Sequence, residues 1–141
     1  MGGKSTLLRA TCLAVVIAQL GSCVPADSYI ATLFDRLFTR IGAHDNLLQK
    51  KSTFFLEMEE TNTILQRATK KSLVVIDELG RGTSTFDGLA LAKAVLNYLA
   101  LHNKGLVMFT THYRWLVNNL KNRPEFGLKT MLCCKQPNGE I

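Results

Sequence analysis

Apolar positions along this chain fall into clusters whose spacing changes from helical to extended and back. Leu7, Leu8, Leu13, Ala14, Val15, Val16, Ile17 and Leu20 make a run that is apolar on most helical faces, which predicts a helix covered by a sheet and its neighbours, stopped by Gly21. Residues 22–26 read as a loop in which Pro25 forces extension at Val24. Two strand-like runs follow, Ile30-Ala31-Thr32-Leu33-Phe34 and Arg36-Leu37-Phe38-Thr39-Arg40-Ile41, and the second alternates polar and apolar residues, so one of its faces is wet. After a polar connection over 42–51, Ser52-Thr53 opens a helix to about residue 68, with Phe55, Met58, Ile64 and Leu65 as buried candidates. Glu57, Glu59 and Glu60 lie in its early turns, where exposed acids favour the helix dipole by roughly 0.3–1 kcal/mol each.

The next pattern is the most explicit in the chain. Leu73-Val74-Val75-Ile76 is a continuous apolar run, three of its four residues β-branched, and reads as a short buried strand that delivers Asp77-Glu78 where it leaves the sheet. Gly80 and Gly82 follow in a loop, and Asp87 is expected to cap an amphipathic helix to about residue 101 with Leu91, Ala92, Val95, Leu96 and Leu99 inward. Leu106-Val107-Met108-Phe109-Thr110 reads as a second buried strand, ending in Thr111-His112. A short helix over 113–120, a polar loop over 121–127 and a hairpin strand over 128–134 complete the pattern. Strands alternating with helices predict an α/β fold with a central, mostly parallel sheet flanked by helices, and an added β-hairpin near the carboxyl end.

Composition narrows this only modestly. With 141 residues and 47% hydrophobic content the chain can build one core of ordinary size, so one domain is expected. The net charge of +6 comes from 17 basic and 11 acidic residues, but the only adjacent basic pairs are Lys50-Lys51 and Lys70-Lys71. Such dispersed charge favours a solvated surface and an anionic small ligand over a nucleic-acid face. Cys12, Cys23, Cys133 and Cys134 lack C-x-x-C spacing, which fits free thiols in a reducing compartment, and the apolar run 11–18 is too short for a membrane segment. His44-Asp45 sits in a polar loop and carries no assigned role.

The candidate chemistry lies where three segments meet. Gly3-Lys4-Ser5 has the form of the tail of G-x-x-x-x-G-K-[ST], in which amides at a helix start surround phosphates, the lysine reaches the outer phosphates and the hydroxyl binds magnesium. The chain opens directly into that second half and closes on Pro137-Asn138-Gly139-Glu140-Ile141, a turn whose return strand has barely begun, so a domain cut within the loop and within the hairpin is expected. A phosphate-loop tail, a strand ending Asp-Glu and a further strand ending in His follow the order expected of a nucleoside triphosphatase. Lys4 and the amides of Gly2, Gly3, Lys4, Ser5 and Thr6 then hold phosphates, and Ser5 with Asp77 holds Mg2+. Glu78 orients or deprotonates the attacking water and His112 stabilises the γ-phosphate side, although a lone histidine in that position is otherwise a structural residue. Adenine is favoured over guanine because Asn103-Lys104-Gly105-Leu106 lacks the aspartate of Asn-Lys-x-Asp. From pattern alone Ser52-Thr53 is an ordinary helix cap before it is an anion site.

The same residues carry a family resemblance. Gly2-Gly3-Lys4-Ser5-Thr6, Val24-Pro25-Ala26, Asp35 through Ala43, Ser52-Thr53-Phe54, Asp77 through Thr85 and Thr110-Thr111-His112-Tyr113 resemble, in order, the carboxy-terminal ATPase domain of the MutS mismatch-repair family. Within the family, segments 38–43 and 52–57 are most similar to a eukaryotic branch that supplies the ATPase partner of a mismatch-recognition heterodimer. The resemblance implies a P-loop NTPase of ABC-ATPase type spanning 1–141, a Mg2+-dependent ATPase that hydrolyses ATP only when two subunits face each other. It also implies a second MutS-family subunit as partner, mismatched double-stranded DNA held by domains outside this sequence, and a nuclear location. On this basis Ser52 and Thr53 contact the other subunit's γ-phosphate, and the loop from Gly80 to Thr85 signals across the dimer. Two departures stand out: Lys50 replaces the glycine usual two residues before the Ser-Thr-Phe serine, and the front half of the phosphate loop is absent. A MutS-like clamp in meiotic recombination is the alternative function. An ABC transporter subunit is disfavoured because Leu-Ser-Gly-Gly-Gln does not occur between Ser5 and Asp77.

Overall fold

A computed structural model describes residues 3–42 and 53–132. Its elements are α1 (Lys4–Gln19), β1 (Leu37–Arg40), α2 (Thr53–Arg67), β2 (Leu73–Asp77), α3 (Thr85–Tyr98), β3 (Leu106–Thr110) and α4 (Arg114–Leu120). A π-helical turn, Leu99–Asn103, continues α3 before Lys104 turns left-handed at φ 56°. The three strands form one sheet in the order β1-β2-β3, and both pairings are parallel.

β2 is central because its four apolar residues can be covered on both faces. Leu73, Val74, Val75 and Ile76 are all completely buried, a gain of roughly 1.5–3 kcal/mol for each such side chain against exposure. Successive side chains of a strand point to opposite faces, and the core divides accordingly. Leu73 and Val75 pack with Leu8, Cys12 and Val15 of α1, while Val74 and Ile76 pack with Ile64 of α2 and Val95 of α3. Leu79 and Leu99 join the second group. A further cluster of Ala92, Leu96, Tyr113, Leu116 and Leu120 seats α4 on α3. Burial raises the Cys12 thiol above its ordinary pKa, so it behaves as a small apolar residue.

Several expectations from the sequence are corrected. Residues 30–34 form no strand: Ile30 is fully exposed, and the Phe34 N–H and carbonyl pair with the Gln19 side chain at 2.7 and 3.3 Å instead of a ladder. The α3 cap is Ser84, which accepts the Asp87 N–H at 3.2 Å, and Asp87 lies in the first turn. α1 buries one stripe only, leaving Leu7, Leu13, Val16 and Leu20 exposed, because a helix on one face of a sheet hides only the side it turns inward. Phe55 is exposed, β3 is an edge of the described sheet with Leu106 exposed, and residues 128–132 form no strand. Gly2, His44, Asp45, Lys50, Ser52, Cys133 and Cys134 lie outside the described residues. Among the described residues no helix is long and apolar enough to cross a membrane.

Candidate functional site

Parallel pairing fixes what meets at the carboxyl edge of the sheet. The register sets Asp77 of β2 opposite Thr110 of β3, and the Thr110 hydroxyl donates to Asp77 Oδ1. From the other side, α1 begins over the end of β2, so the Ser5 hydroxyl donates to Asp77 Oδ2 at 2.5 Å although the two residues stand 72 apart in the chain. A carboxylate with a hydroxyl beside it is a hard-oxygen donor set of the type Mg2+ uses, together with water and phosphate oxygens. Among the described residues no group of three or more His, Cys, Asp or Glu side chains is placed to hold a metal ion by itself.

Glu78 follows in a different setting. Its φ is 49°, a left-handed conformation that non-glycine residues adopt infrequently and that is often found at functional sites. Its N–H donates to the Thr110 carbonyl at 3.2 Å, and its side chain lies between two cations, Lys4 Nζ at 3.5 Å from Oε1 and Arg81 Nη1 at 3.3 Å from Oε2. Lys4 is the first residue of α1, after Gly3 at φ 69°, so a cation and the free amides of a helix start stand together there. Asp77 and Glu78 line a cavity of about 260 Å³ with Arg40, Gly42, Thr53, Glu57, Arg81 and Gly82.

The predicted site residues therefore separate into groups. Lys4, Ser5, Asp77 and Glu78 come together, with Gly3 one residue away at the helix start. Thr6 is exposed on the first turn of α1. Thr53 lines the cavity, its hydroxyl oxygen 3.8 Å from where a Cβ on Gly82 would stand. His112 lies two residues beyond the end of β3, exposed, with its ring 4.2 Å from that of Tyr113 and outside the cavity lining.

Four participants escaped the sequence pattern. Thr110 was visible as a strand end, but its partner depended on register. Glu57 is not an exposed acid at a helix start: it is buried, accepts the Gly80 N–H at 3.1 Å and has Arg40 Nη2 at 3.9 Å. Arg40 also approaches Glu60, with Nε 3.0 Å from Oε2. Tyr113 is the residue before α4, buried, and donates its hydroxyl to the Gly80 carbonyl at 3.0 Å. Burial above all, then the charges of Glu57 and Glu78, push this hydroxyl above the ordinary tyrosine range, which keeps it protonated as a donor.

Comparison with known proteins shows the family. The family model described as MutS domain V matches residues 1–140. The chain belongs to the MutS family. It is 51% identical over 123 residues to the DNA mismatch repair protein MSH6 of Saccharomyces cerevisiae, covering 87% of this chain and 10% of that protein. To the DNA mismatch repair protein MSH7 of Arabidopsis thaliana it is 51% identical over 133 residues, 94% of this chain and 12% of the relative. To the DNA mismatch repair protein MutS of Solibacter usitatus it is 53% identical over 116 residues, 82% and 13%. This MutS-family chain thus spans about a tenth of the length of the curated relatives it matches, and its likeness to MSH6 is nearly equalled by its likeness to MSH7 and to bacterial MutS.

Proposed function

We propose that this MutS-family chain is the ATP-binding and ATP-hydrolysing part of a DNA mismatch repair protein, in which nucleotide state is coupled to recognition of mismatched DNA. The reading includes a P-loop, ABC-type ATPase, a second MutS-family subunit, DNA held elsewhere in the protein, and the nucleus as location in a eukaryotic cell. The observation that carries it is the approach of Lys4-Ser5 to Asp77-Glu78 across the sheet edge, with Ser5 Oγ 2.5 Å from Asp77 Oδ2.

The residues suit a magnesium nucleotide. Lys4 and the amides at the start of α1 attract phosphate oxygens, and Ser5 with Asp77 supplies the oxygen donors for Mg2+. When bound, Mg2+ neutralises charge on the phosphates as a Lewis acid. Thr110 holds Asp77 in orientation from the neighbouring strand. Glu78 takes the proton from the attacking water as the new oxygen–phosphorus bond forms and the bond to the ADP oxygen breaks. Lys4 and Arg81 flank that carboxylate and hold it beside Asp77. His112 serves the γ-phosphate side, and Ser52 and Thr53 meet the nucleotide of the facing subunit.

In the complete protein with its partner, Glu78→Gln keeps ATP binding and lowers hydrolysis by about 10²–10⁴-fold, the scale of a lost general base. Turnover equal to wild type in that variant overturns the assignment. Ser52→Ala in one subunit of a mixed dimer impairs the partner's site more than its own, measured by single-turnover hydrolysis; the reverse pattern leaves Ser52 a plain cap.

A further inference from the structure

Two buried side chains from separate elements grip one residue of the glycine loop. Glu57, in the second turn of α2, accepts the Gly80 N–H at 3.1 Å, and Tyr113, before α4, donates to the Gly80 carbonyl at 3.0 Å. Glu57 is 4% and Tyr113 7% exposed, so both place buried polar groups on this one residue, and Arg40 offsets the carboxylate's charge from 3.9 Å. Gly80 itself has φ 83°. The first turn of α3 presses on the same point: a Cβ on Gly88 would lie 2.3 Å from the Gly80 carbonyl oxygen and 2.3 Å from the Tyr113 hydroxyl. The loop is therefore fastened at Gly80 from three directions, two residues after Glu78 with its left-handed φ of 49°. Such a conformation persists when the surroundings over-determine it.

We propose that Glu57 and Tyr113 are positioning residues, which clamp both polar groups of the Gly80 backbone and so hold Glu78 at the cavity. Tyr113 lies outside the cavity lining, and Glu57, which borders the cavity, is engaged with Gly80 and Arg40. Each acts through the loop, which ties the carboxylate's setting to the first turns of α2 and to the start of α4. The inference rests on the ATPase reading for its effect on turnover, whereas the grip on the loop is measurable without it.

The test uses the complete protein with its partner. Tyr113→Phe removes only the hydroxyl. It lowers kcat about tenfold, one buried hydrogen bond's worth, while KM and equilibrium binding of ATP stay within about twofold. Amide hydrogen exchange read by mass spectrometry becomes faster in residues 79–88 and stays the same elsewhere. Glu57→Ala reproduces both changes, and Glu57→Gln, which keeps an acceptor oxygen for the Gly80 N–H, restores most of the turnover and the protection. If Tyr113→Phe does not fold, the Glu57 pair decides alone. Unchanged exchange in 79–88 overturns the clamp, as does a uniform rise in exchange with loss of ATP binding, which marks a merely structural role. Should the complete protein with its partner show no ATP hydrolysis, the ATPase reading fails; should Glu78→Gln leave hydrolysis intact, only the assignment of Glu78 fails. In both cases the clamp stands or falls on exchange alone.

Discussion

The two ends of β2 carry the same local chemistry with different surroundings. At its carboxyl end Asp77 accepts hydroxyl hydrogen bonds from Ser5 and Thr110. At its amino end Asp35 accepts them from Thr69 at 2.6 Å and Ser72 at 2.9 Å. Around Asp35 the polar groups are consumed in closing a turn: Ser72 Oγ accepts the Thr69 N–H, Thr69 Oγ1 accepts the Lys71 N–H, and the Ser72 N–H meets the Thr69 carbonyl. Asp77 instead borders a cavity of about 260 Å³, beside a second carboxylate flanked by Lys4 and Arg81 and next to a helix start. A carboxylate with two hydroxyls is thus a fastening at one end and a candidate ligand at the other. Open space, unspent amides and nearby cations make the difference.

Removing one charge at each end should break that comparison if it is wrong. Asp77→Asn keeps the shape but not the charge, and Mg2+-dependent hydrolysis in the complete protein falls on the order of 10²–10³-fold, several kcal/mol of charge stabilisation. Asp35→Asn changes turnover by less than about twofold, since it alters an exposed turn away from the cavity. Steady-state hydrolysis across a Mg2+ titration measures both. Equal losses at the two positions would show that Asp77 is only structural.

The hydroxyl partners sharpen the contrast at a smaller scale. Ser5→Ala weakens Mg2+ affinity or activity by about 10–100-fold, as expected for a ligand or the immediate partner of one. Ser72→Ala acts on stability instead. Ser72 is completely buried and its hydroxyl serves Asp35 and the Thr69 N–H, so its loss leaves a partly buried donor without its acceptor and costs about 1 kcal/mol. Denaturant unfolding and the Mg2+ titration together separate the two outcomes, and a stability loss for Ser5→Ala with normal Mg2+ dependence would place Ser5 in the fastening class.

Much of this edge was legible before the fold. Leu73 to Ile76 is so apolar and β-branched that only a buried strand accommodates it, and Asp77-Glu78 then has to emerge at its end. The meeting of Ser5 with Asp77 followed from the phosphate-loop pattern. Elements that depend on partners were not legible. Ile30 to Phe34 has strand composition, yet Gln19 takes its backbone groups. Asp87 and Ser84 both suit a helix cap, and the choice lay in which side chain reaches back; the Ser-x-x-Asp spacing held that information. Glu57 resembled any acid on a helix because its partners, Gly80 and Arg40, lie far along the chain. His112 drew attention by its chemistry, while its neighbour Tyr113 does the joining.

The smallest effect separates the two ends by pH. The hydrogen bond from Thr69 is the main cause that lowers the Asp35 pKa; desolvation opposes it, and Ser72 and Arg36 add to the lowering. A carboxyl whose pKa is lower folded than unfolded binds fewer protons in the native state, so stability rises with pH through that window. Its contribution is present above the ordinary aspartate pKa of about 3.9 and is lost as the pH falls through the lower, folded value. Asp35→Asn is therefore less stable than wild type near neutrality, and the gap between them closes at acid pH. Denaturation midpoints measured across a pH series test this. A gap that stays constant down to the acid limit would mean that the Asp35 fastening works by shape, without its charge.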